Sequence, residues 1–170
     1  RSSFEAPDSP NQNRDDGTGP GTIVCEEEKI VEQHVVSGIA YSRDEAKVSL
    51  RKVKDQPGVS AAVFGPLAEA DISVDMIVQN ISADGSTADI TFTLARKDLR
   101  KALETLNAVK DKIGVGEISH SADVAKVSVV GIGMRSHAGV ASKMFRALAD
   151  KGINIQAITT SEIKVSVLID

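Results

Sequence analysis

Tryptophan is absent from this 170-residue chain, tyrosine occurs once as Tyr41, and aromatic residues make up 3% of it. Single-strand nucleic-acid binders and many sugar sites stack their ligands on aromatic faces, so both classes lose their usual platform. No excess of cations takes its place. Twenty Lys and Arg stand against 24 Asp and Glu, a formal charge of −4, and nothing in that balance draws a phosphate backbone or an anionic membrane. The one cysteine, Cys25, has neither an internal disulfide partner nor a Cys/His cluster at metal-ligand spacing, which fits a reducing, cytoplasmic setting. No apolar run approaches the roughly 20 residues of a membrane helix, and the N-terminus lacks the basic-then-apolar order of a signal peptide. His34, His120 and His137 are scattered without a carboxylate or cysteine at ligand spacing, so they read as solvated surface and indicate no metal site. A nucleophile elbow, a P-loop and a G-x-G-x-x-G after a strand are all missing. Ser37 and Ser49 lie in expected strands with no base nearby in sequence, and no catalytic residue emerges.

What remains is an ordinary soluble composition, 41% apolar and 26% charged, long enough for one domain or two small ones. The chain opens on Arg1 rather than Met, which reads as a piece of a longer polypeptide. Residues 5–22 combine Pro, Gly, Asn and Asp without apolar periodicity, as a linker or flexible loop does. Beyond them lies a repeat. Ala46-Lys47-Val48-Ser49 recurs as Ala125-Lys126-Val127-Ser128, and an offset of about 80 residues then pairs Gly58-Val59 with Gly139-Val140, Phe64 with Phe145, Leu67-Ala68 with Leu148-Ala149, Ile72 with Ile153 and Val74 with Ile155.

Within the first copy, Val48 and Leu50 alternate with polar neighbours as a strand. The Asp55-Gln56-Pro57-Gly58 loop follows, and Val59, Val63, Phe64, Leu67 and Ala70 fall at helical spacing. Residues 75–81 are extended and apolar, Asp84-Gly85 suits a tight hairpin, and Ile90, Phe92 and Leu94 alternate against Asp89, Thr91 and Thr93. Leu99, Ala102, Leu103, Leu106 and Ile113 form a second amphipathic helix, and residues 117–121 supply a last strand. The class is therefore α+β, with ferredoxin-like βαββαβ units in tandem. The second copy has a strand at 126–130, a helix at 140–150 and a hairpin of 154–160 with 164–169, and is truncated before its second helix and last strand. Residues 35–41, a separate expected strand, are the candidate that completes it, so that each strand preceding a copy closes the sheet of the other.

In each copy a glycine-containing loop ends a strand and opens a helix, facing the start of the next strand. Helix N-termini leave N–H groups unpaired and carry partial positive charge, so they hold carboxylates without a cationic side chain. In the first copy the donors run from Gly58 to Ala61. Asp55 is available to an ammonium group, and Gln79 and Asn80 stand on the strand opposite. Carboxylate plus ammonium describes an amino acid. The second copy offers Arg135, Ser136, His137, Ala138 and Gly139, faced by Asn154, Ile155, Thr160 and Ser161. Glycine between a strand and a helix is often only turn geometry. Adjacent polar residues in an apolar strand are harder to assign to plain surface, because one of Gln79 and Asn80 must face inward or an interface.

Val35-Val36-Ser37-Gly38-Ile39-Ala40, Asp75-Met76-Ile77-Val78-Gln79-Asn80, Asp89-Ile90-Thr91-Phe92-Thr93 and Thr159-Thr160-Ser161-Glu162-Ile163 resemble the C-terminal regulatory region of the aspartate kinase family, built from two ACT domains. The resemblance covers nearly the whole chain. Arg1-Ser2-Ser3-Phe4 and Pro20-Gly21-Thr22 resemble the junction with the catalytic domain. It implies a layout of catalytic-domain end and linker at 1–31, a first ACT domain at 43–121, and a second at 122–170 with 35–42. The family phosphorylates the side-chain carboxylate of L-aspartate with ATP and Mg on the way to lysine, threonine, methionine and isoleucine. The catalytic domain's lysine-phenylalanine-glycine-glycine motif is missing, so this chain alone is expected to be inactive. A C-terminal helix, which the family has beyond the position of Asp170, is missing too, and its loss is expected to bear on the second site. The resemblance implies homodimers through ACT domains, a catalytic domain as partner, and feedback inhibition by lysine and/or threonine bound at ACT–ACT interfaces. It carries over Asp55, Gln56, Pro57, Gly58, Ser73, Val74, Asp75, Met76, Gln79 and Asn80 as one effector site. Ser136, His137, Ala138, Gly139, Val140, Asn154, Ile155, Thr160 and Ser161 make the other. Two other readings compete. One is a scaffold whose ACT repeats dimerise an enzyme without binding effector. The other is a sensor attached to a different amino-acid enzyme, against which the 75–80 stretch and the opening Arg1-Ser2-Ser3-Phe4 both argue.

Overall fold

The computed structural model describes residues 36–83, 85–131 and 139–170. Their elements run β1 (Gly38–Lys54), α1 (Val59–Glu69), β2 (Val74–Ile81), β3 (Thr87–Ala95), α2 (Leu99–Ile113, entered through a 3-10 turn at Arg96–Asp98), β4 (Glu117–Val130), α3 (Val140–Ala149), β5 (Ile155–Thr160) and β6 (Lys164–Ile169). The strands form one sheet in the order β2-β3-β1-β4-β6-β5, and every neighbouring pair is antiparallel. The sheet curls so that its two outer strands, β2 and β5, touch.

The repeat decides this layout, with one difference from the sequence reading. The strand expected at 35–41 and the one around Val48 are a single strand of 17 residues. Residues 117–121 and 126–130 are likewise one strand of 14. Val35 lies outside the described residues. The polar run Ser42-Arg43-Asp44-Glu45 reads as a break, yet β1 passes through it with a register shift between Ser42 and Glu45, because β4 pairs with the strand on both sides of it. The front of β1 pairs Gly38 with Val130 through Ser42 with Lys126, and its rear pairs Lys47 with Ser121 through Arg51 with Glu117. Each copy's sheet is thus closed by a length of strand from ahead of the other copy.

The main core sits under α1 and α2. Ala46, Val48 and Leu50 alternate inward from β1, and Ile90, Phe92 and Leu94 do the same from β3. Val59, Val63 and Leu67 descend from α1 at four-residue spacing, and Ala102, Leu106 and Ile113 from α2. Phe92, fully buried, meets Phe64 in a T-shaped pair at 5.2 Å between ring centroids and 71° between planes, the geometry aromatic pairs favour. Gly114, at φ 63°, ends α2 in the left-handed conformation that only glycine adopts without strain.

The second copy is covered on a smaller scale. Val129, Val165 and Val167 are buried, but no residue of α3 is. Pairing places Ile39 opposite Val129 and Tyr41 opposite Val127, on the same face of the sheet. In the first copy the positions matching Ile39 and Tyr41 are Ile118 and His120, opposite Leu50 and Val48. Ile118 packs against the main core, whereas Ile39 is 71% exposed and Tyr41 73%.

Candidate functional site

The first-copy loop is built as its residues dictate. Gly58 caps α1 at φ 89° and ψ −4°, a left-handed turn that swings the chain from β1 into the helix. Val59 N–H donates to Gln56 O at 3.2 Å, and Ala62 N–H to Gly58 O at 3.0 Å. Between them, Ser60 and Ala61 hold first-turn N–H groups, for which a helix has no acceptor of its own. Asp55, Gln56, Pro57, Gly58, Val59, Ser60, Ala61 and Gln79 line an open depression of ≈ 440 Å³. Gln79 arrives from β2, where it pairs with the core residue Ile90 and so faces the helix side. Ser60 Oγ donates to Gln79 Oε1 at 3.2 Å, tying helix to strand across the depression.

The lining is chemically one-sided. Among the described residues its lining has a single charged side chain, the Asp55 carboxylate, and no cation. At the helix start an anion meets main-chain amides and the positive end of the helix. A cation meets Asp55. That combination suits a small zwitterion.

The other expected residues of this site are placed differently. Asn80 pairs with Asp89 on the opposite face from Gln79. Ser73 is exposed ahead of β2, and Val74 is half-buried against the main core. Asp75 and Met76 point at the second copy. Asp75 Oδ1 accepts the Met76 N–H at 2.8 Å, and Asp75 Oδ2 lies 2.8 Å from Lys126 Nζ. The hydrogen bond from Lys126 holds the Asp75 carboxyl below its ordinary value, against a smaller opposing effect of burial. For Lys126 itself burial is the largest single influence and acts to lower its pKa. Hydrogen bonds to Asp75 and Glu45 outweigh it, and the ammonium ends above its usual range. The sequence reading counted Ser60 only as a main-chain donor between Gly58 and Ala61 and missed its hydroxyl, which donates to Gln79; its place in the first turn, across from that strand, was the available signal.

In the second copy, Gly139 repeats the cap of Gly58 at φ 100°, ahead of Val140. Arg135, Ser136, His137 and Ala138 lie outside the described residues. Asn154 is exposed just before β5, which carries Ile155 and Thr160. Ser161 turns the hairpin, its N–H donating to Lys164 O at 2.8 Å.

A βαββαβ unit followed by a second, shorter β-α-β-β copy, each with a glycine at a helix start, defines a tandem ACT-domain chain. ACT-domain family models match residues 48–111 and 127–170. Among proteins similar to it, an aspartokinase of Pseudomonas aeruginosa is 54% identical over 154 residues, 89% of this chain and 37% of that one. The chain therefore spans a little over a third of the curated relatives it matches. The regulatory subunit of aspartate kinase from Thermus thermophilus, in its ligand-free form, is 43% identical with a TM-score of 0.74, over 80% of this chain and 89% of that one. A structure of aspartokinase alpha and beta subunits is 52% identical with a TM-score of 0.73, over 79% and 88%. The chain belongs to the aspartate kinase family, as its regulatory region of two ACT domains.

Proposed function

We propose that this chain senses free amino acids, binding lysine and/or threonine and passing the occupancy to an aspartate kinase catalytic domain as feedback inhibition. The carrying observation is the depression at the start of α1, where first-turn amides and one carboxylate, Asp55, are offered together with Gln79. The amides suit an α-carboxylate and Asp55 an α-ammonium, while Ser60 and Gln79 are placed for a polar side chain. The outer strand β2 leaves Ile77 49% and Ile81 62% exposed beside this site. A second copy laid along that edge would cover both residues and close the depression, which supports homodimers with effector at the ACT–ACT interface. Effector binding would then favour one arrangement of the domains, and a coupling of ~1–3 kcal/mol is enough for a useful response.

Phosphorylation of aspartate, with ATP and magnesium, is assigned in this proposal to the catalytic domain. Among the described residues no group of His, Cys, Asp or Glu could hold a metal ion. Among them, too, no helix is long and apolar enough to cross a membrane.

Titration calorimetry with lysine and with threonine tests the proposal, on the wild-type chain and on Gln79→Ala. Heat from at least one amino acid, weakened in the variant, is the expected result. Absence of heat from both would replace the sensor with a scaffold that only joins subunits.

A further inference from the structure

The repeat carries a reciprocal contact between its two copies. Lys47 and Lys126 are the same position of the repeated Ala-Lys-Val-Ser stretch. Lys126, in the second copy, reaches Asp75 on β2 of the first. Lys47, in the first copy, donates to Gln156 on β5 of the second. Asp75 and Gln156 are themselves equivalent, each following the matched pair Val74 and Ile155. Both contacts fall where an outer strand breaks register, between Asp75 and Val78 in β2 and between Ile155 and Ala157 in β5. The next residues, Met76 and Ala157, meet in one apolar cluster with Val124 and Leu168.

The two contacts differ in strength. Gln156 is neutral and also donates to Asp170. Asp75 is ionised, and Lys126 lies 2.8 Å from both its carboxylate and that of Glu45, whose side chain is only 9% exposed. The strand at Asp75 also needs holding more. Met76 has φ 44°, a left-handed conformation that costs a side-chain-bearing residue roughly 1–2 kcal/mol and persists only where its surroundings impose it. Gln79, which lines the depression, follows three residues later.

We propose that Lys126 is a positioning residue for the first-copy site: by holding Asp75 it fixes the β2 bulge, sets Gln79 against Ser60, and makes the site strand move with the second copy. The part that concerns ligand rests on the amino-acid-sensing reading above; the part that concerns the strand does not. Loss of Lys126 frees the bulge to relax toward ordinary β geometry, which displaces Gln79 although no residue of the depression has changed.

The test is amide hydrogen exchange on the full chain without ligand, followed by calorimetry with lysine and threonine. Lys126→Met is expected to speed exchange in residues 74–81 about two- to fivefold and to leave α2 unchanged; Lys126→Arg, which keeps the charge, is expected to restore most of the protection. Unchanged exchange in 74–81 overturns the proposal. If burial of an unpaired Glu45 prevents Lys126→Met from folding, Asp75→Asn decides in the same way, since it keeps the acceptor for the Met76 N–H and leaves Lys126 paired with Glu45. In calorimetry, a wild-type chain that binds neither amino acid defeats the sensing reading, while exchange still judges the strand. A wild-type chain that binds and a folded Lys126→Met that binds equally well defeat the positioning role and leave the sensing reading standing.

Discussion

Replacing Gly58 by alanine isolates the backbone geometry on which the first site depends. An added Cβ there would meet nothing within 4 Å among the described residues, so the substitution carries no steric clash with them and its effect is conformational. At φ 89° an alanine is held in the left-handed region at a cost of roughly 1–2 kcal/mol. Loss of freedom in the unfolded chain returns about 0.4–1 kcal/mol, so a net destabilisation of ~1 kcal/mol is expected. With a urea dependence of about 1–3 kcal/mol per M for a chain of this size, the midpoint falls by about 0.3–1 M with unchanged slope. Gly58→Asn should lose less, because asparagine visits this region more readily. Gly139→Ala, at φ 100° and equally open, should behave as Gly58→Ala does. Urea unfolding followed by circular dichroism reads all three. A Gly58→Ala midpoint at or above that of wild type would mean that the loop does not hold its left-handed turn, and the amide cradle would go with it.

Two further outcomes follow from groups near the join between the copies. Thr93 is 1% exposed, and its hydroxyl has no hydrogen-bond partner among the described residues; since burying an unpaired hydroxyl costs about 1–3 kcal/mol, the similarly shaped Thr93→Val should stabilise the chain by ~1 kcal/mol, and a loss of stability on denaturation would show that the hydroxyl is satisfied. Asp75 has a lowered pKa in the folded chain, so the stability it contributes is present above the ordinary carboxylate range and is lost as pH falls through its folded value. The gap in unfolding midpoint between wild type and Asp75→Asn should therefore stay constant from neutral pH to about 5 and narrow below about 4. A gap that does not change on acidification would exclude the ion pair as its source.

Much of the fold was legible because the repeat is dense in apolar identities. Val48, Leu50, Ile90, Phe92 and Leu94 alternate as strands, Val59, Val63 and Leu67 recur at a helical interval, and each set is buried where its period points. The loop at Gly58 was legible for a local reason, the demand for a positive φ between strand and helix. What escaped depends on distant pairing. Nothing near Ser42 or Asp44 signals a continuous strand, since β4 holds that segment in place from far along the chain. The contact of Lys126 with Asp75 joins residues 51 positions apart and requires both the curl of the sheet and the register of three strands. Asp75 reads from the sequence as a site residue, and the structure adds that its carboxylate lies 2.8 Å from Lys126 of the second copy.

The long strands β1 and β4 remove the independence that duplicated units ordinarily keep. Shortening the chain to a single copy would not release a smaller intact domain; it would leave an open flank of unpaired main-chain groups where the missing half-strand had lain, a surface prone to self-association. Denaturation of the described region should for the same reason occur in one step, because neither half can come apart while the other retains all its strands.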